Sequence, residues 1–163
     1  YLPEQLEGLT LQGGLVYAET QYDDFEAVDF FAPPRLPGST ISFAPRWSGT
    51  LAATYETSFI SAWDARFNVS SRFTSKYNTG SNLDPLKEVE ELVVVNARMS
   101  FYSDNSPFEL ELWAQNLFDE DYYELAFDTP LQGTAATQTA PGTAVGAFLS
   151  PPLTFGATAR VRF

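Results

Sequence analysis

Glu109 and Glu111 stand two residues apart in a run that otherwise alternates polar and apolar side chains. On a strand that spacing puts both carboxyl groups on one side. A pair of carboxylic acids is the equipment of glycoside hydrolysis, with one group as acid and the other as base or nucleophile. The rest of the composition argues against that use. The chain has no histidine and no cysteine, which removes the commonest general base, a common metal ligand and any thiolate nucleophile. Serine and threonine abound, but a hydroxyl is a weak nucleophile without such a base beside it. Glu109 and Glu111 are therefore read as solvated or arginine-paired side chains. No enzyme activity and no cofactor are expected.

A second chemistry lies in the acids that follow. "DEDYYE" packs Asp119, Glu120, Asp121 and Glu124 around Tyr122 and Tyr123. Calcium takes carboxylate oxygens, yet this stretch lacks the spaced ligands and the glycine of a calcium-binding loop. A solvated acidic rim is the simpler reading. A third possibility is sugar stacking on Tyr17, Trp47, Tyr55, Trp63, Phe73 and Phe101, which fall near the ends of alternating stretches. Aromatic residues at strand ends also form the girdles of membrane barrels, and that reading is preferred. Tyr122, Tyr123 and Phe127 remain the candidate substrate contacts. Nucleic acid is not an expected partner, because a net charge of −12 repels phosphate.

These residues need elements to position them. Six stretches alternate with period two, at 9–18, 46–56, 62–73, 92–102, 108–118 and 153–163. Sorting them by parity yields one face without charge. It includes Leu9, Leu11 and Leu15, then Leu51, Ala53, Phe67, Val69, Val95, Ala97, Leu110, Leu112, Phe155 and Val161. The opposite face carries Arg46, Asp64, Arg66, Arg72, Arg98, Glu109, Glu111, Arg160 and Arg162 among Thr, Ser, Asn and Gln. The connections alternate as well. Those at 57–61 and 103–107 are short, and those at 19–45, 74–91 and 119–152 are long and without periodicity. Compact domains seldom hold loops beyond about 12–15 residues. Outer-membrane barrels do, pairing short periplasmic turns with long extracellular loops. No apolar run is long enough for a membrane helix, whereas a tilted spanning strand needs only about 9–11 residues. The chain opens "YLPEQLEGL", with neither a basic nor an apolar leader region. The expected fold is all-β: a transmembrane antiparallel β-barrel wall.

"AQNLFDEDYYE" resembles the penultimate-strand motif of TonB-dependent outer-membrane receptors, an Asn-Leu-Phe-Asp followed by tyrosine. Here these are Asn116, Leu117, Phe118, Asp119 and Tyr122. In that family a last strand begins near Pro-Arg-Thr-Tyr-Gly and ends in Phe. This chain has Pro152, Leu153, Thr154, Phe155 and Gly156, and closes "ARVRF" at Phe163. Leu153 and Phe155 depart from the pattern. "FAPRWSGTLAATY", Phe43 to Tyr55, is similar to a strand found upstream in such receptors.

The resemblance implies a barrel of roughly 22 strands closed by a plug. Residues 1–163 are then expected to be its C-terminal fragment, about six strands, without the plug domain, the TonB box or the earlier strands. It implies active import of a scarce nutrient, such as siderophore-bound iron, cobalamin or an oligosaccharide, across a bacterial outer membrane. The implied partners are the TonB–ExbB–ExbD energising complex, reached through the plug, the barrel-assembly machinery, and outer-membrane lipid with lipopolysaccharide. Phe155, Val161 and Phe163 would supply the terminal assembly signal. A passive porin and a soluble β-sandwich carbohydrate-binding module are the rival readings, since both alternate in the same way.

Overall fold

A computed structural model of the chain describes residues 7–23, 38–60, 62–80, 84–129 and 145–162. Period-two alternation in the six long stretches leaves each one way to satisfy both faces, and each forms a strand. The strands are β1 (Leu9–Tyr17), β2 (Trp47–Ile60), β3 (Trp63–Thr74), β4 (Tyr77–Asn78), β5 (Glu88–Val89), β6 (Leu92–Tyr102), β7 (Phe108–Gln115), β8 (Tyr123–Asp128), β9 (Val145–Leu149) and β10 (Thr154–Val161). Six of them make one antiparallel sheet in the order β1-β2-β3-β6-β7-β10. Each member pairs with the next long strand in the chain, as sequential strands usually do. The sheet is open, with β1 and β10 as its two edges among the described residues.

The register keeps the two faces apart across the whole width. Leu11 lies opposite Ala53, Ala53 opposite Val69, Val69 opposite Ala97, Ala97 opposite Ala114, and Ala114 opposite Phe155. A slip of one residue in any pairing would turn a strand's apolar side into the polar row. All three long connections leave from the same end of the sheet, and the turns after β2 and β6 lie at the other. Leu9 and Val161 also lie at the short-turn end.

Two details differ from expectation. β2 runs on to Ile60 and β3 starts at Trp63, so the expected 57–61 connection is mostly strand, with a register irregularity between Ser58 and Ile60. Thr57 and Ser58 break the alternation after Glu56, yet their polarity does not stop the ladder. β7 ends at Gln115 rather than 118, because Asn116 takes a left-handed φ of 50°. The long connections are also not structureless. Gln21 bridges Thr40 in the first, β4 pairs β5 in the second, and β8 pairs β9 in the third. A 3-10 turn, Pro85–Lys87, precedes β5, with the Asp84 side chain accepting from Leu86 N.

Burial is sparse. Among the described residues the buried apolar side chains are Ala65, Val89, Leu92 and Ala126. Leu11, Leu15, Leu51 and Phe155 are 60% or more exposed. A soluble domain of this size hides its large aliphatic and aromatic residues. Here no second sheet lies over the apolar face among the described residues.

Candidate functional site

The chemistry-bearing residues fall into two places: the polar face of the sheet and the rim at its long-connection end. On the polar face the two acids that opened the question are held by arginine. Glu109 accepts from Arg160 Nη1 at 2.9 Å and from Arg162 Nη2 at 3.0 Å, while Glu111 lies 3.9 Å from Arg160 Nη2. Glu109 faces Arg160 directly in the β7–β10 register, so the cross-strand pair is set by the pairing itself. Both carboxylates are mostly covered, with 12% and 13% side-chain exposure, and the arginines are open.

Farther across the face, Arg66 pairs with Glu56 and lies over the Tyr102 ring at 5.0 Å. Asn68 donates to Thr54 Oγ1 at 2.8 Å. Trp113, on the polar side, lies across Gly156 so closely that a Cβ there would sit 2.5 Å from the indole. Its Nε1 donates to Thr158 Oγ1 at 3.3 Å. Glu56 and Tyr102 belong to this network although parity of the charged residues alone did not single them out. Their signal was positional: each stands opposite or diagonal to an arginine on the next strand.

Asn116 is the centre of a compact polar knot where β7 ends. It is 5% exposed. Its Nδ2 donates to the carbonyls of Glu120 and Pro151, both at 3.0 Å, and its Oδ1 accepts from Glu120 N at 2.9 Å. Its own N–H donates to Asn96 Oδ1 at 3.0 Å. Asn tolerates the left-handed region better than other non-glycine residues. Asp119, also left-handed at φ 55°, accepts from Leu153 N at 2.7 Å. Leu117 N donates to Val95 O at 2.8 Å. Three strands, β6, β7 and the lead into β10, are thus tied by one tetrapeptide. Phe118 makes the fourth member and is 68% exposed.

The rim is built by contacts between connections. Thr79 Oγ1 donates to Lys87 O and accepts from Ala126 N at 3.1 Å, joining the second connection to the third. Phe43 N donates to Asn78 O at 2.9 Å, joining the first to the second. Within this rim the candidate substrate contacts do not converge. The Tyr122 hydroxyl accepts from Arg72 Nη2 at 3.1 Å, and the guanidinium lies 5.8 Å from its ring. Tyr122 and Tyr123 line a cleft with Glu88, Glu90, Glu120 and Asp121. Phe127 instead packs against Phe148, ring centroids 5.7 Å apart, over Gly146. No three acids are grouped as a metal ion needs among the described residues.

Phe155 and Val161 project on the apolar face of the last strand, 78% and 46% exposed. Phe163 lies outside the described residues, as do Asp24, Glu26 and Asp29 of the first connection and most of the Pro33–Ser39 stretch. Tyr17 and Trp47 stack at 4.7 Å at the long-connection end, directly opposite each other in the register. No family model, characterised protein or solved structure matches the chain.

Proposed function

We propose that these residues are C-terminal wall of a TonB-dependent outer-membrane transporter that imports a scarce nutrient. One observation carries the reading: an uncharged apolar face runs unbroken through six paired strands, exposed, behind a face lined with charge. Lipid is the environment that such a face fits, since strand backbone survives there only when every group is paired in a ladder. β1, β2, β3 and β6 run nine to fourteen residues, enough to cross a bilayer at a tilt. The two open edges then belong against the remaining strands of a closed cylinder, which would leave no edge exposed. The Asn116–Asp119 tetrapeptide and the last strand support the more specific family assignment by resemblance. In this reading the arginine–glutamate ladder lines the lumen, the rim faces outward, and energy reaches the path through a plug and the TonB–ExbB–ExbD complex.

The full-length protein, expressed in a Gram-negative host, tests the reading. It is expected in the outer-membrane fraction and to migrate faster before boiling than after, as a folded barrel does. Recovery as a soluble, cooperatively folded protein without detergent would overturn it.

A further inference from the structure

On the polar face, between β2 and β10, the structure holds an open cavity of about 370 Å³. That is the small end of the range for ligand pockets. β6 runs along its floor and contributes Asn96, Arg98 and Ser100, all on one side of the strand. The ladders fix this floor. Arg98 lies opposite Asn68 on β3 and Trp113 on β7, and Ser100 lies opposite Arg66 and Glu111. The cavity therefore rests on paired strands rather than on connections.

Three side chains in it lack hydrogen-bond partners. Every other arginine among the described residues has an acceptor: Arg46 has Glu19, Arg66 has Glu56, Arg72 has the Tyr122 hydroxyl, and Arg160 and Arg162 share Glu109. Arg98 has no ion pair and no side-chain hydrogen bond among the described residues. Ser100 is 7% exposed, and its hydroxyl has no partner among them either. Its Oγ is not sealed off, and the residue lines the cavity. Glu111 is nearly as covered; its carboxylate lies 3.9 Å from Arg160 Nη2 and accepts no hydrogen bond among the described residues. A mostly buried hydroxyl and a mostly covered carboxylate each gain from a partner that enters the cavity. The lining carries three cations, Arg66, Arg98 and Arg160, and two carboxylates, Glu109 and Glu111, so three minus two leaves one positive charge.

We propose that this cavity binds a small hydroxycarboxylate, with its carboxylate on Arg98 and its hydroxyls between Ser100 and Glu111. A guanidinium fork matches a carboxylate with two parallel bonds. Ligand hydroxyls donate to Glu111 and pair with the Ser100 hydroxyl, which neither a bare anion nor a cation does for both. Arg98 and Ser100 stand about 7 Å apart along the strand, a span that an open-chain acid of about five carbons bridges. One negative charge matches the one surplus positive charge of the lining. The binding stands on the polar face of the sheet alone. Only the statement that the ligand meets this site inside a lumen rests on the barrel reading.

The test uses the full-length protein in detergent. Gluconate is titrated by calorimetry beside sorbitol, which has the hydroxyls without the carboxylate, and acetate, which has the carboxylate without the hydroxyls. Gluconate is expected to bind at least about tenfold more tightly than either, the worth of one charge-assisted hydrogen bond. Arg98→Gln is expected to weaken gluconate binding by about tenfold or more, and Ser100→Ala by about fivefold, the worth of one neutral bond. Arg98→Lys, which keeps the charge but not the fork, is expected to fall between Arg98→Gln and the parent. Arg72→Gln, outside the cavity, is expected to leave binding unchanged. Circular dichroism shows that each variant keeps the parent's fold. Absence of gluconate binding, equal binding of sorbitol or acetate, or equal losses in Arg72→Gln and Arg98→Gln would each overturn the proposal. Gluconate binding by a protein that forms no heat-modifiable barrel would leave this site standing and remove the transporter reading instead.

Discussion

At the residue scale, Asn116 unites two requirements that are seldom met together. Its backbone sits in the left-handed region and its side chain fills three hydrogen bonds in a nearly buried place. The two contributions are separable. Asn116→Gly removes the side-chain bonds but relaxes the backbone; Asn116→Ala removes the same bonds and keeps the steric cost of a Cβ at φ 50°. Glycine is expected to destabilise the folded protein by about 1–3 kcal/mol, from the groups left unpaired. Alanine is expected to cost about 1 kcal/mol more. Denaturant titration of the refolded protein in detergent checks the order; an alanine variant as stable as the glycine variant would remove the backbone part of the account. The resemblance pointed to this tetrapeptide, but not to its work. A hydrogen-bond knot depends on carbonyls at Glu120 and Pro151, and nothing in the residue types of a loop reveals which way its carbonyls turn.

At the scale of elements, the six long strands were legible because period-two alternation and a charge-free face leave only one register in which every pairing agrees. Their ends were less so. Nothing in Thr57 or Ser58 forbids the strand from continuing, and it continues. The small pairings at Tyr77–Asn78 with Glu88–Val89, and of β8 with β9, escaped because two to six residues carry too little periodicity to be seen. The rim cleft escaped for a related reason: it is made by two connections meeting, a tertiary event with no local pattern. The facing of the strands yields its own test. If the proposed barrel reading holds, Phe67→Arg or Val95→Arg, on the apolar face, is expected to destabilise the protein by about 2–4 kcal/mol near a bilayer midplane. Ser70→Arg, one residue from Val69 but on the polar face, is expected to cost much less. Asn96 is a poor control on that face, since its Oδ1 holds Asn116 N. Equal losses for Val95→Arg and Ser70→Arg, measured as shifts in the urea midpoint in detergent, would contradict the register.

At the scale of the whole molecule, the sheet has one apolar face, one charged face and, among the described residues, few buried apolar side chains. Its stability must therefore come from ladders and from surroundings, not from side chains packed on one another. The meander order has a further, mechanical consequence. Because β1 pairs only with β2 among the described residues, a load applied through Leu9 opens its ladder one bond at a time, as a zipper opens, and the resistance stays low. The other end behaves differently. A load through Arg162 unzips β10 from β7 toward Thr154, where the strand meets a catch: Leu153 N on Asp119 and Pro151 O on Asn116. Several bonds there bear the load together, and they couple it into β6 through Asn96. Pulled from Arg162 in a force spectrometer, the protein is expected to show a distinct rupture peak once the eight residues of β10 have peeled, and Asp119→Ala is expected to lower it. This sheet thus resists unravelling most strongly at its long-connection end, through a latch made from a turn.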